Sequence, residues 1–309
     1  MKKFILKRLA YLLIVVLIVS LLAFILVRLA PGNPAEMMLP DTATEEQVAA
    51  MSTQLGLDKP LPVQYFIYLG NMLRGDFGTS TLYQMPCLEV IGNRLPATLS
   101  VAFLCAISIL IVSVPLGIIA GVNKGSVVDF FAILFVLLGQ SMSVVWLCVL
   151  LLLIFSIKLG WLPSMGYYGL SQPQYLIMPV IAMGYKMCAT MTRMGRSGMI
   201  DVLDEDYITC AYAKGMSKFQ VYTKYAFKNS IIPVMTLYGL NIAGMLAGAV
   251  VIENMFTIPG IGSMLVKAVN NRDYPLIQST LVVTAAMFAL VNLVVDIINS
   301  SIDHRMQLN

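Results

Sequence analysis

The sequence predicts an all-α membrane protein with six transmembrane helices, and three observations carry that prediction. The 309 residues are 59% hydrophobic and only 12% charged, and a soluble domain of that composition would leave far too much apolar surface in water. The apolar residues gather into runs long enough to cross a bilayer. Lysine and arginine are distributed unequally between the two sets of loops, which orients the spans.

Taken in order, Lys2, Lys3, Lys7 and Arg8 precede a charge-free run, Leu9–Val27. A cleaved signal peptide has a shorter apolar core and a small-residue cleavage site, so this run reads as the first span. Leu95–Asn123, Phe130–Ile157, Asn229–Ile252 and Tyr274–Val295 are likewise free of charge, and Tyr175–Arg193 is interrupted only by Lys186. Basic residues number 12 on the side of the termini and 6 on the other, with Arg28 and Lys186 at or within spans. Both termini are therefore expected in the cytoplasm. The organisation divides into an N-terminal transmembrane helix (1–30), an extracytoplasmic segment (31–94) and a five-helix core (95–309) that contains a cytoplasmic loop at 197–230.

Pro115 and Gly117 predict a kink in the second span. Gly239, Ala243, Gly244, Ala247 and Gly248 in the fifth either permit close helix packing or line a pathway. In the fourth, Lys186 lies at mid-depth, where a lysine costs roughly 2.5–3.5 kcal/mol on insertion scales. At helical spacing it shares a face with Pro179, Ala182, Ala189, Thr190 and Arg193, a small and polar face expected to look into the bundle or a watery cavity. An ion pair with Glu253 or with Asp296 is the alternative. Snorkelling is disfavoured, because from mid-depth the stem reaches the interface poorly.

The hydrophilic stretch Asp201–Pro233 is the most ordered wording in the chain. Asp204, Glu205 and Asp206 suit a first helical turn, Lys214 a last turn and Gly215 a left-handed stop. Ser217 and Gln220 make a capping box, with Met216 and Val221 as its hydrophobic staple. Phe219, Tyr222 and Ala226 fall on one stripe of the second helix, and Lys224 and Lys228 on another. A loop that only joins two spans needs none of this. It reads as a preformed knob offered to a partner.

Ala211–Lys214–Gly215, after Asp206–Tyr207 and before Pro233, resembles the coupling loop of permeases in ATP-binding-cassette importers, in the dipeptide, oligopeptide and nickel branch. Where that motif usually continues Leu-Pro, this chain has Phe227–Lys228. Outside, Pro31–Gly32–Asn33–Pro34–Ala35 (an aspartate is usual at 33), Leu55–Tyr65, Gly75–Asp76–Phe77–Gly78–Thr79–Ser80 and Arg94–Leu95–Pro96–Ala97–Thr98 resemble the first of the two permeases of peptide importers. Glu253–Gly262 and Asn271–Arg272–Asp273–Tyr274–Pro275 match the same pattern. By residues alone, the prolines and glycines fix turns, with short surface helices at Val48–Leu55 and Val63–Leu73 and another beginning within Leu265–Val269.

The resemblance implies a type I importer permease in the cell membrane. Its substrate is a dipeptide or oligopeptide, and its partners are a second homologous permease, two ATPase subunits and an extracytoplasmic substrate-binding protein. Asp206, Ala211, Lys214, Gly215, Ser217 and Phe219 would couple to the ATPases. Gly244 and Glu253 would line or gate the pathway, and Lys186, by the cost of a mid-span charge rather than by any family motif, would join them and attract a peptide's C-terminal carboxylate. Phe256, Pro259, Gly260 and Arg272 would dock the binding protein. Membrane lipid is a further partner and nucleic acid is not.

No catalytic residue is expected: the chain has no G-x-x-x-x-G-K-[ST], H-E-x-x-H or G-x-S-x-G. ATP and Mg would sit in the partner ATPases, and this chain would bind no cofactor. Five scattered cysteines without C-x-x-C spacing and a single histidine, His304, argue against a disulfide framework or a metal site. The 21 methionines read as packing. Nickel or metal-chelate import by the same scaffold is the nearest alternative. An ion-driven secondary transporter is a second, but no repeat relates residues 1–150 to 151–309. A purely structural scaffold leaves Lys186 and Glu253 without a reason.

Overall fold

The computed structural model describes residues 2–29, 44–54, 58–242 and 244–302. The Pro31–Ala35 motif, Leu55–Leu57, Ala243 and His304 lie outside them. Among the described residues the chain is helical, with a single isolated bridge between Thr79 and Pro86. The helices are α1 (Lys2–Leu29), α2 (Glu45–Gln54), α3 (Leu61–Leu73), α4 (Cys87–Val122), α5 (Val127–Ser141) and α6 (Val144–Leu151), then α7 (Gln174–Leu203), α8 (Asp206–Ala213) and α9 (Lys218–Gln220). After them come α10 (Phe227–Ile242), α11 (Gly244–Met255), α12 (Ile261–Asn270) and α13 (Tyr274–Ile302).

Three of these, Arg8–Leu29 within α1, Cys87–Val122 and Tyr274–Ile297 within α13, are long and apolar enough to cross a membrane. α5 and the helix Val144–Lys158, whose second half is a π-helix, make a fourth only if taken as one span, because they meet at 112°. The break falls at Met142, which is extended, and the Ser143 hydroxyl then accepts the Trp146 N–H at 3.2 Å to start α6. The charge-free run 130–157 hides this bend, since hydrophobicity reports no direction.

Contacts group the described chain into two units. One is built mainly from Leu99–Ile258; the other combines Leu6–Thr98 with Pro259–Leu290.

In the second unit, Cys87, Val90 and Ile91 of α4 pack with Ile261, Met264 and Ala268 of α12 and Leu276 of α13. Its polar centre is Asp273, fully buried. One carboxylate oxygen accepts the Ser80 hydroxyl at 2.5 Å and the Leu82 N–H at 3.0 Å, and the other accepts the Leu276 N–H at 3.2 Å, capping α13. The motif Gly75–Ser80 has a physical account here. Gly75 and Gly78 take φ of 83° and 80°, and Asp76 accepts the Gly78 N–H at 2.9 Å. The turn so formed offers the Phe77 carbonyl to Ser279 at 2.8 Å and the Gly78 carbonyl to the Cys87 N–H at 2.9 Å. α3 lies against α1: Phe24 packs on Tyr65 and Tyr68 with ring centroids 5.5 and 6.2 Å away, and Arg28 donates to the Gln64 side chain at 2.9 Å.

Asp273→Ala strands the two loop donors and the α13 cap together. Each buried donor left unpaired costs about 1–3 kcal/mol, so the apparent melting temperature of the detergent-purified chain should fall by several degrees. Asp273→Asn, which keeps one carbonyl acceptor, should fall less. Melting unchanged in both would remove Asp273 from the centre of this unit.

In the first unit α7 is central. Gly117 and Gly121 of α4 permit its close approach: an added Cβ would meet the Thr192 carbonyl at 2.8 Å and the Met199 Cβ at 2.6 Å. α4 runs helical through Pro115 without interruption, and the signal carried by Gly117 is packing. Cys105, Ile109, Cys188, Met191, Val234 and Met245 form the adjoining apolar core.

Candidate functional site

The hydrophilic stretch 201–233 folds as its punctuation predicts at the turn and differs beyond it. Glu205 is the N-cap of α8, with Asp206 in the first turn. At the other end Gly215 takes φ 78°, and its N–H donates to the Tyr212 carbonyl at 2.9 Å, while the Met216 N–H reaches back to Ala211 at 3.3 Å. This is a Schellman-type stop, with glycine at the position where a side chain is disfavoured. The capping box is closed from both sides: the Gln220 N–H donates to the Ser217 hydroxyl at 3.4 Å, and the Ser217 N–H to the Gln220 side chain at 3.2 Å.

Ala211, Ile208, Val221 and Ala226 are buried with Met199 of α7, and Met216 packs on the same cluster. The knob is therefore seated on α7 rather than hanging from it. Asn229 donates to the Tyr207 hydroxyl at 2.8 Å, tying the start of α10 to α8. Burial first, and then the adjacent Tyr222 phenol, raises the Tyr212 pKa above the ordinary tyrosine value, so Tyr212 brings no negative charge to the knob at neutral pH.

The stripe Phe219, Tyr222 and Ala226 is not realised. Phe219 is 76% exposed, Tyr222 intermediate and Ala226 fully buried. Val221–Ala226 is a π-helix, whose wider turn rotates successive side chains away from a 3.6-residue face. The second helix of the knob also does not end; α9 leads through the π turn into α10. What the knob presents is Phe219, among exposed Lys214, Gly215, Ser217 and Lys218, with Asp206 exposed on α8.

Just above the knob, Asp129 of α5 and Arg196 of α7 form a two-pronged ion pair, Arg196 Nε to one carboxylate oxygen at 2.5 Å and Nη2 to the other at 2.9 Å. The Gly125 N–H also donates to Asp129 at 2.9 Å. Sequence reasoning misses this pair; an aspartate three residues past Ser126, at the mouth of an apolar run, is its only sign.

The remaining predicted residues divide by exposure. Lys186 is exposed on α7 and makes no ion pair with Glu253 or Asp296. Gly244 is exposed, with open space where a Cβ would stand. Glu253, by contrast, is fully buried, and its backbone carbonyl accepts the Ile258 N–H at 2.8 Å. Phe256 is buried and its carbonyl accepts the Gly166 N–H at 3.2 Å. Gly260 is buried as the N-cap of α12 and Pro259 is intermediate. Phe256 and Gly260 thus shape the turn and present no surface of their own. Arg272 is exposed, at φ 54°, on the rim of a groove of about 300 Å³ lined by Ala23, Leu26, Val27 and Ile277.

Helices long and apolar enough to cross a membrane, with a hydrophilic knob seated on α7, describe a membrane protein. Residues 113–308 match the family model of the binding-protein-dependent transport system inner membrane component, and residues 1–102 match its N-terminal membrane-component model. The chain belongs to this family: it is a multi-pass inner membrane permease, a type that works with a separate binding protein and an ATPase, and it is not itself an enzyme.

It is 38% identical to a probable peptide ABC transporter permease of Sinorhizobium fredii over 98% of this chain and 99% of that one. It is also 38% identical to the glutathione transport system permease GsiC of Salmonella typhimurium, covering 98% of each. The dipeptide transport system permease DppB of Alkalihalophilus pseudofirmus is 35% identical over 97% and 98%. Among solved structures, an amino acid ABC transporter with histidines aligns with a TM-score of 0.51 at 16% identity, over 71% of this chain and 94% of that one. That likeness concerns the fold.

Proposed function

We propose that this permease moves dipeptides or oligopeptides inward, as a pair with a second homologous permease, on two ATPase subunits that hold ATP and Mg and with a binding protein that delivers substrate. The observation that carries this reading is the knob: a rigid, doubly capped turn seated on α7 and offering Phe219. The peptide, dipeptide and glutathione relatives favour peptides over nickel or a metal chelate. The chain itself holds no cofactor.

Six spans place both termini in the cytoplasm: α1, α4, the bent α5–α6 pair, α7, the α10–α11 pair and α13. Asp206, Lys214, Gly215, Ser217 and Phe219 meet an ATPase, and Ala211 holds them in place from below. Closure of the ATPases around ATP moves the knob and, through its seat, α7, so that the bundle exchanges outward-open for inward-open. Lys186 and Gly244 face the pathway, while buried Glu253 supports the end of α11. Arg272, with the exposed residues of α12, takes the binding protein.

Uptake of a labelled dipeptide should disappear from cells lacking this chain and return when it is restored; uptake unaffected by its loss would overturn the reading. Topology has its own test. Thr257 and Lys267 are exposed, so a cysteine at either should react with a membrane-impermeant thiol reagent in cells stripped of any outer barrier. Cys210, exposed on the knob, should react only after lysis. Bound binding protein should protect one of the two outer sites. Labelling of Thr257→Cys or Lys267→Cys only after lysis would invert the orientation.

A further inference from the structure

Beside Lys186, α7 leaves a second cation exposed on the same side. Arg193 lies seven residues after Lys186, two helical turns and about 10 Å along the axis, nearly in line at 100° per residue. Thr190 and Ser197 continue the line, and Lys186, Arg193 and Ser197 are all exposed. The Thr190 hydroxyl donates to the Lys186 carbonyl at 3.0 Å. The rest of the helix around them is packed: Ala182 and Ala189, on the cations' own side by spacing, are buried, as are Gly184, Cys188, Met191, Thr192, Gly195 and Met199. Arg196, a quarter-turn away, is already committed to Asp129. Lys186 and Arg193 have no side-chain partner among the described residues.

An unpaired cation at the depth of Lys186 does not stand in lipid without cost, since a lysine at the centre of a span is penalised by roughly 2.5–3.5 kcal/mol. Water or an anion must meet it. Lys186 begins about 18 Å from the start of α7 at 1.5 Å per residue, well inside a hydrocarbon core of about 30 Å, and Arg193 lies towards the knob. A single cation at mid-depth would trap an anion. A second, two turns further on, gives the anion somewhere to go, and binding that is favourable at more than one site is what lets a charged group pass through a membrane.

We propose that Lys186 and Arg193 form a two-station ladder on α7 that binds the carboxylate of the transported peptide, first at mid-membrane and then nearer the cytoplasmic end. This rests on the peptide-permease reading and adds the chemistry the pathway selects. Lysine offers a compact charge that releases readily, whereas the planar guanidinium of Arg193 takes a carboxylate on two prongs. The stronger, two-pronged partner therefore lies downstream. Thr190 and Ser197 supply neutral hydroxyls along the same line.

The test uses the assembled importer in proteoliposomes, with saturating peptide-loaded binding protein, and four matched peptides that the binding protein carries: C-terminal acid or amide, each with asparagine or aspartate at one side chain. Initial uptake is measured for wild type, Lys186→Met, Lys186→Arg and Arg193→Met, and normalised to assembled complex. Each methionine variant should lose about tenfold on peptides that carry the recognised carboxylate and less than twofold on those that lack it, the loss expected for one charge-assisted hydrogen bond. Lys186→Arg should keep most of the rate.

If the acid–amide contrast vanishes in the variants, the terminal carboxylate is the group held. If the aspartate–asparagine contrast vanishes, it is the side chain. Equal losses on all four peptides would overturn the ladder. So would loss of the complex itself with normal uptake per complex, because the cations would then pair with acidic residues of the second permease. A wild-type importer that moves none of the four peptides would instead defeat the peptide reading.

Discussion

Asp129→Ala should cost the chain about 3 kcal/mol, the lower part of the range for breaking a buried ion pair, because Arg196 keeps 23% of its side-chain surface exposed while Asp129 keeps 4%. The cost arises from what is left behind. Arg196 loses both carboxylate oxygens, and the Gly125 N–H loses its acceptor at 2.9 Å. Removing both charges in Asp129→Leu/Arg196→Met should cost less than the aspartate change alone, since no orphaned charge remains. Thermal unfolding of the purified chain across the cycle measures the coupling, expected at roughly 0.5–3 kcal/mol for groups in direct contact. A double variant as unstable as the sum of the singles would mean the pair does not act as one. The consequence for transport is positional: Arg196 stands one turn before Met199, the residue on which the knob is seated.

Gly215→Val should abolish coupling while leaving the protein in the membrane. Space is not the obstacle, because nothing lies within 4 Å of a Cβ built at Gly215. The backbone is: at φ 78° an ordinary L-residue pays about 1–2 kcal/mol, and a β-branched one is a clear outlier. The turn relieves that strain by moving, and Ser217 and Phe219 move with it. Uptake should fall at least tenfold, and co-purification of the ATPases should weaken, with expression near normal. Gly215→Asn, which tolerates the left-handed region, should retain most of both. Wild-type uptake and wild-type ATPase recovery in Gly215→Val would take the knob out of the mechanism.

Local rules make the knob legible in the residues themselves. A capping box, a glycine stop and acidic first-turn residues each involve neighbours within six residues, and Ser217, Gln220, Gly215 and Asp206 all stand where those rules put them. The surface helices are readable in the same way, within a few residues of α2 and α3. The Phe219 stripe fails because one π turn, invisible to a 3.6-residue period, changes the face of everything after it.

What the sequence by itself determined, then, is composition, periodicity and turn chemistry: a helical membrane chain, its apolar runs and the punctuation of the hydrophilic stretch Asp201–Pro233 between two of them. Only the tertiary structure decided which polar residues are spent on the fold and which are left over. Asp273, legible only as part of a motif, satisfies two donors from one distant loop, at Ser80 and Leu82, and a third at Leu276, three residues on. Glu253 and Phe256, expected at working surfaces, are buried. Asp129 and Arg196, 67 positions apart, find one another, while Lys186 and Arg193, close in sequence, find no partner among the described residues of their own chain. The physical reason is that burial and charge pairing depend on which helices meet, and helices meet through shape, such as the gap that Gly117 and Gly121 leave for α7, which no pattern along a single helix records.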